Sequence, residues 1–324
     1  MLRPIPPPLL TLYADLAQQV RFAQRGGAIY QRTLGGASYL YAKIPVAGTR
    51  RDIFLGRADD ELVQEKAAAV RREAVAARER RATIRTLKLR GLRGPDGWLG
   101  KILDAVADAD LFGRGMVLVG TGAYQLMEPL VAHYLPKASL MTGDVDLVTA
   151  DLAIASESGE AIETILRRAD PTIAAVPELD IRDFSSRFKG KDTLVELLTP
   201  ILRRTDATPM PPTQLGAGAA PLQYLRWLID QPVEAVALWG GGVRVTIPAP
   251  ARYAVHKLIL AQKRHRTSRE KRLKDLSEAE VLIAVLQAAE PFAIEDALED
   301  ARQQGDEGWA RPIARSLSEL RLEL

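Results

Sequence analysis

The chain has 324 residues, of which 47% are hydrophobic and 26% are charged, a composition typical of folded globular proteins. It contains no cysteine, which excludes disulfides, thiolate zinc sites, iron–sulfur clusters and a cysteine nucleophile, and fits a cytoplasmic protein. The three histidines disfavour a histidine-rich metal site, and no stretch of about 18 uninterrupted apolar residues indicates a membrane span.

The net charge of +3 is unevenly distributed along the chain. Residues 1–100 contain 18 Lys and Arg against 9 Asp and Glu, whereas residues 101–240 contain 12 against 19. Residues 241–324 are nearly balanced, with 14 against 13. A basic first third followed by an acidic middle favours polyanion contact in the one and cation binding in the other. The alternative is an uneven scatter of charge over solvated helices.

The first third of the chain contains a change of hydrophobic period. We predict a short amphipathic helix near residues 9–24, a three-stranded β-meander over 27–56 and a long helix over 58–92. Glycines and Pro95 then end the helix and mark a domain boundary.

Strands and helices alternate in the rest of the chain, which favours a layered fold with both element types. The predicted elements are helix 98–110, strand 115–120, helix 122–135, strand 139–149, helix 158–169, strand 194–200, loop 205–221, strand pair 235–248 and helical tail 250–324. We therefore predict an α+β fold with a short mixed sheet, divided into domains at 1–100, 101–205 and 206–324.

An apolar strand runs into Gly-Thr-Gly and then into a helix at residues 117–124. Backbone N–H groups at such a helix start suit a phosphate, and glycine lets the phosphate approach closely. The alternative is an ordinary strand-to-helix turn. Gln125 occupies the place of the third glycine of a dinucleotide-binding motif, which disfavours a dehydrogenase.

Asp144 and Asp146 lie two residues apart on a predicted strand, so their side chains share one face. Two adjacent carboxylates repel each other unless a cation lies between them, and these two lie within an apolar strand. The pair predicts a site for a divalent cation. A solvated pair at a strand end is the alternative.

Glu196 lies between Val195 and Leu197 on another apolar strand. An acidic residue buried in a strand usually has a partner. If this strand is beside that of Asp144 and Asp146, three carboxylates can hold two metal ions roughly 3.5–4 Å apart. The alternative is a glutamate on an edge strand that points to water.

In this order, Val119-Gly120-Thr121, Asp144-Val145-Asp146 and Glu196 resemble the motifs of the nucleotidyltransferase superfamily. Over residues 110–285 the chain is similar, more closely, to a group of bacterial proteins that carry the nucleotidyltransferase fold. Thr121 stands where many members have glycine or serine, and Glu196 stands where aspartate is usual.

The resemblance implies metal-dependent transfer of an NMP group from an NTP to a hydroxyl of RNA or protein. It makes Asp144, Asp146 and Glu196 the catalytic residues and the ligands of Mg²⁺ or Mn²⁺, with Gly120 and Thr121 at the triphosphate. Because of the departures from the motif, the alternative is a non-catalytic nucleic-acid-binding or regulatory protein built on a degenerate nucleotidyltransferase fold.

The predicted helix over 251–266 combines an apolar stripe with Lys257 and Arg264, two turns apart on the opposite face. Such cations can neutralise the phosphates of an NTP. The resemblance includes this helix and favours Lys257 as a nucleotide-binding residue, whereas a solvated basic face is the alternative.

Aromatic and basic side chains alternate in the predicted meander, a pattern able to stack on bases and to pair with phosphates. We predict a nucleic-acid contact, RNA or DNA, by Tyr39, Tyr41, Lys43, Arg50 and Arg51. The alternative is that the tyrosines pack on the following helix and the arginines are solvated.

Overall fold

A computed structural model describes residues 2–136, 144–149, 159–178, 183–191, 193–201 and 214–324. Residues 139–143 of the second predicted strand and residues 205–213 of the predicted loop lie outside the described part of the chain. No helix in the described ranges is both long and apolar enough to cross a membrane.

The first third of the chain is an antiparallel meander between two helices. Its elements are β1 (Arg3–Pro4), α1 (Pro7–Arg21), β2 (Ala28–Leu34), β3 (Ala37–Val46), β4 (Thr49–Arg57) and α2 (Glu61–Leu89). Gly35 and Gly36 both have positive φ, which the tight turn between β2 and β3 requires. Asp60 caps α2 because its carboxylate accepts a hydrogen bond from the backbone N–H of Leu62.

The middle of the chain forms a mixed sheet with helices around it. Its elements are α3 (Gly97–Asp108), β5 (Met116–Val119), α4 (Gly120–Gln125), β6 (His133–Tyr134), β7 (Asp144–Thr149), α5 (Ile162–Arg167), β8 (Ala174–Ala175), β9 (Arg187–Lys189) and β10 (Leu194–Pro200). The sheet order is β5-β7-β10-β9-β8. β7 runs antiparallel to β5 and parallel to β10.

The last part is a strand pair followed by helices. The elements are β11 (Ala220–Leu222), α6 (Leu225–Leu228), β12 (Val233–Ala237), β13 (Val243–Ile247), α7 (Pro250–Lys263), α8 (Arg269–Ala289), α9 (Pro291–Gln303) and α10 (Arg311–Leu320). β11 adds to the sheet in parallel beside the end of β10. The predicted α+β fold, with its mixed sheet, N-terminal meander and C-terminal helices, is confirmed.

One predicted helix is much shorter than expected. The sequence predicts a helix over 122–135, but α4 ends at Gln125 and the chain continues in turns. Pro129 lacks a backbone N–H and disfavours a helical conformation at Glu128 before it. The Glu128 carboxylate instead accepts hydrogen bonds from the backbone N–H groups of Arg93 and Leu135, which fixes this segment in the fold.

A single cluster of buried residues connects the three parts of the chain. It includes Ile44 of the meander, Leu118 and Leu197 of the sheet, and Leu258 of α7. A second, smaller cluster packs α1 and α2 against β12 through residues such as Leu16, Leu87 and Val236. The division into three domains stays a prediction.

Candidate active site

A cleft of about 540 Å³ opens between the sheet and the helices α7 and α8. Its walls include all seven residues predicted to be catalytic or to bind nucleotide: Gly120, Thr121, Asp144, Asp146, Glu196, Lys257 and Arg264. The fold thus brings together residues that are up to 144 positions apart in the sequence.

The three carboxylates share one face of the sheet because of strand register. Asp144 and Asp146 are two residues apart on β7, and Glu196 of β10 is paired with Asp146 across the parallel ladder. The alternate residues Val145 and Leu147 are buried in the core. The apolar residues therefore fix the register that directs the acids into the cleft.

Gly120 supports the central carboxylate. Its φ is +66°, and a Cβ atom at this position would lie 2.4 Å from Oδ2 of Asp146. Only a residue without a side chain leaves room for the Asp146 carboxylate to rest against the backbone here. Val119, just before this glycine, is the register partner of Asp146 on the other side of β7.

Burial, together with the negative charges of Glu196 and Asp144, raises the pKa of Asp146 to about 6. Lys257 and Lys271 oppose this shift. A carboxylate in this position is costly to ionise unless a cation compensates its charge. The donor set therefore fits a hard divalent ion such as Mg²⁺, which prefers oxygen ligands.

No group of three or more histidine and acidic side chains forms a ready-made metal cage within the described residues. Mg²⁺ is usually bound by one or two carboxylates together with substrate phosphates and water, not by an all-protein cage. Asp144, Asp146 and Glu196 stay the predicted ligands of such an ion.

Lys257 lies under the cleft and is only 6% exposed. Its Nζ lies 2.7 Å from Oδ1 of Asp275 and 2.9 Å from Oε2 of Glu278, both on α8. Burial alone would lower the pKa of Lys257, but the Glu278 and Asp275 carboxylates outweigh it and hold the pKa above its usual value.

Asp275 also forms an ion pair with Arg264, the second cation predicted to bind nucleotide. Arg264 follows the end of α7 and donates a hydrogen bond of 2.8 Å from Nε to Oδ2 of Asp275. Both cations thus face the cleft with their charge already shared with a buried carboxylate. Their roles in nucleotide binding stay predictions.

A buried tyrosine joins this network to the glycine beside Asp146. The Tyr253 hydroxyl lies 3.1 Å from the carbonyl oxygen of Gly120 and 2.9 Å from Oε2 of Glu278. On the same helix, His256 is buried, and burial lowers the pKa of its imidazole to about 3, with the charge of Lys257 acting in the same direction. The imidazole is therefore neutral at physiological pH.

A family model described as nucleotidyltransferase matches residues 98–303. The chain belongs to the nucleotidyltransferase family. No curated protein and no solved structure matches the chain. The matched range contains the sheet, α7 and α8, and therefore every wall of the cleft. As a family member, the protein is a transferase for nucleotidyl groups in general.

Several residues of this nucleotidyltransferase cleft were not singled out from the sequence, although the basic segment 270–276 contains three of them. Lys274 donates a hydrogen bond of 2.6 Å to the Thr121 hydroxyl, and Lys271 also lines the cleft. Asp275 and Glu278 were overlooked as partners of Lys257. A signal was present, because these two acids are three residues apart on one side of a helix, beside the buried Leu276 and Ala279.

The residues predicted to contact nucleic acid lie outside the cleft of the nucleotidyltransferase. Strand alternation divides them between the two faces of the meander. Tyr39, Tyr41 and Lys43 share one face of β3, and Arg50 is paired in register with Pro45 on that face. Arg51 is paired with the buried Ile44, and its guanidinium lies 3.4 Å from Oδ2 of Asp108 on α3. Arg51 therefore lies on the opposite face and belongs to a different surface.

Proposed function

We propose that this nucleotidyltransferase transfers an NMP group from an NTP to a hydroxyl of RNA or of a protein, with the help of Mg²⁺ or Mn²⁺. The observation that carries the proposal is the register of Asp144, Asp146 and Glu196, which directs three carboxylates into one cleft within the matched range.

The reaction needs an acceptor oxygen to attack the α-phosphorus while the bond from this phosphorus to the β-phosphate oxygen breaks. Pyrophosphate leaves, and the proton of the acceptor hydroxyl must be taken up by a base. Glu196 lines the cleft beside Asp146 and is the side chain we assign to accept that proton. When bound, the divalent ions stabilise charge on the attacking and leaving oxygens.

The cleft has a basic side and an apolar side. Lys263 and Lys271 line it and have no ion-pair partner among the residues that the structure describes. We assign Lys271, whose charge already acts on Asp146, to the triphosphate. The apolar wall is suited to a nucleobase and consists of Leu198, Ile201, Leu222, Leu225, Leu228 and Leu260.

Calorimetry with each NTP, with and without Mg²⁺ or Mn²⁺, tests the proposal. We expect metal-dependent NTP binding that is lost in Asp144→Asn/Asp146→Asn and weakened in Lys271→Gln. Asp15→Asn, on the exposed side of α1, is the matched control and should bind like the wild type. Transfer is then tested by incubation with labelled NTPs and with RNA or protein acceptors. Absence of label on both would contradict enzymatic turnover.

The second candidate is a non-catalytic member of the family that binds nucleotide or nucleic acid and regulates a partner. The engagement of both Lys257 and Arg264 by Asp275 favours it, because it reduces the positive charge available to a triphosphate. NTP binding that is unaffected by metal, together with no label transfer, would support this candidate over the enzyme.

A further inference from the structure

Four aromatic side chains cover the outer face of the meander, which points away from the buried residues of β3. Tyr30 and Tyr41 are stacked with ring centroids 5.4 Å apart, and Phe54 lies 5.3 Å from Tyr41 and 5.8 Å from Tyr39. Phe54 is 58% exposed and, unlike a single exposed apolar residue, belongs to a contiguous aromatic patch. We call Tyr30, Tyr39, Tyr41 and Phe54 the aromatic face.

Cations surround the aromatic face. The Arg32 guanidinium lies 5.3 Å from the ring centroids of both Tyr30 and Tyr41, and Lys43 Nζ lies 5.6 Å from that of Tyr30. Arg50 is on the same side of the sheet. The strands β2, β3 and β4 contain one acidic residue, Asp52, which is paired in register with Lys43. Positive charge thus exceeds negative charge on this face.

Helix α2 packs on the opposite face of the meander, where its Val63 and Ala67 lie against Leu40, and it is also basic. Arg71, Arg78, Arg81 and Arg85 are exposed, and their spacings of seven, three and four residues place them on one side of the helix. None of the four forms an ion pair within the described ranges of the chain. Unpaired cations repel one another, so a row of them is stabilised by a polyanion.

We propose that the aromatic face binds a single-stranded nucleic acid, with bases stacked on Phe54 and the tyrosines and with phosphates at Arg32, Lys43 and Arg50. This combination of aromatic rings and cations is what sequence-tolerant single-strand binding requires. The inference rests on the proposed function, because the bound strand would then supply the acceptor hydroxyl of the transfer.

A protein partner fits this face less well. The cores of protein interfaces are depleted in lysine, although arginine and aromatic residues are enriched there, and here Lys43 lies over the Tyr30 ring. The excess of cations in residues 1–100, 18 against 9 acids, also favours a polyanion over a protein surface of mixed charge.

Fluorescence anisotropy with a labelled oligouridylate and a labelled oligodeoxythymidylate, without NTP, tests the inference on the full chain. We expect Phe54→Leu to raise the Kd by about fivefold or more, since one stacked base contributes about 1–3 kcal/mol. Phe54→Tyr should bind like the wild type. Phe292→Leu, which changes a phenylalanine of α9 that is 76% exposed, is the matched control.

Charge is tested separately from stacking. We expect Arg50→Gln to weaken binding and to make the slope of log Kd against log salt shallower. Equal Kd values for the two oligonucleotides indicate that the face contacts bases and phosphates without distinguishing the sugar. Tighter binding of one of them assigns the bound strand as RNA or as DNA. No binding of either, or equal losses in Phe54→Leu and Phe292→Leu, would overturn the inference.

The test also separates this inference from the proposed transfer reaction. Asp144→Asn/Asp146→Asn should bind the oligonucleotides as the wild type does, because the aromatic face is outside the cleft. Binding that depends on Phe54 in a protein that transfers no label would support the aromatic face and contradict the enzyme. Label transfer to protein alone, without oligonucleotide binding, would contradict the aromatic face.

Discussion

Gly120 couples backbone conformation to the position of a carboxylate. A methyl group at its Cα would lie 2.4 Å from Oδ2 of Asp146, so Gly120→Ala must move either the carboxylate or the chain. We expect metal-dependent NTP binding to weaken by about tenfold or more. The positive φ separately lowers the stability of the folded protein by roughly 1–2 kcal/mol.

Gly240→Ala is the matched control for this change. Gly240 has φ of +56° and no atom within 4 Å of an added Cβ, so the substitution brings the conformational cost without the collision. We expect calorimetry to show normal NTP binding in Gly240→Ala and a loss of melting temperature no larger than that of Gly120→Ala. Equal NTP affinity in the two would show that Gly120 has no special role at Asp146.

Asp146 is expected to lower the stability of the folded protein at neutral pH. Because its pKa rises to about 6 on folding from an ordinary 3.8, ionisation costs nothing below pH 3.8 and increasingly more between pH 3.8 and 6. At pH 8 we therefore expect the free energy of unfolding of Asp146→Asn to exceed that of the wild type by up to about 3 kcal/mol, with a higher urea midpoint. At pH 3.5 the two midpoints should be equal.

Mg²⁺ should reverse this difference. An ion that binds the folded state stabilises it, so millimolar Mg²⁺ with NTP should raise the stability of the wild type at pH 8 and leave Asp146→Asn unchanged. The measurement is urea unfolding across pH 3.5–8 with and without the metal. If Asp146→Asn is less stable than the wild type at pH 8 without metal, the ionised Asp146 carboxylate does not destabilise the folded state.

At the scale of elements, α7 and α8 are joined by a buried charge network. Lys257→Met would leave the carboxylates of Asp275 and Glu278 without their central cation, and we expect a loss of about 3–5 kcal/mol. Lys257→Met/Glu278→Gln should recover much of it, because Asp275 keeps Arg264 at 2.8 Å. Thermal unfolding of both variants measures the difference, and no recovery in the double variant would contradict the network.

Elements with strong local patterns were predictable from the sequence. β10 spans 194–200 as predicted, because the apolar run over residues 194–198 is interrupted only at Glu196. The short α4 was missed, although Pro129 was a visible signal against a helix over 122–135. The shared face of Asp144 and Asp146 followed from the period of a strand, whereas their neighbourhood with Glu196 depended on a non-local pairing that the superfamily resemblance supplied.

The electrostatic details of the site were not predictable in the same way. Lys257 was predicted to lie on a polar helix face, but that face is covered by α8, and its two acidic partners are 18 and 21 residues later in the chain. Periodicity describes one helix at a time and does not show which helix covers another. The grouping of Arg51 with Arg50 is a different case, because strand alternation, which the sequence does show, places adjacent residues on opposite faces.

At the scale of the whole molecule, the matched range 98–303 depends on both flanking segments. Ile44 and Val46 of the meander and Ile313 and Leu317 of α10 belong to the same buried cluster as the sheet. The Ser316 hydroxyl donates a hydrogen bond of 2.7 Å to the carbonyl of Leu258 on α7. At about 1.5–3 kcal/mol for each buried side chain, these four residues contribute about 6–12 kcal/mol, comparable with the stability of a whole domain.

We therefore expect a fragment of residues 98–303 to lack a cooperative thermal transition and to aggregate, while the full chain unfolds in one sharp step. Fragments 1–303 and 98–324 serve as controls that restore one flank each, and both should be more soluble than the shortest fragment. Differential scanning calorimetry and sedimentation measure these properties. A soluble 98–303 fragment with a sharp transition would show that the sheet and its helices fold without the meander and α10. The apolar surface exposed by removing these two segments would then destabilise the fragment less than expected.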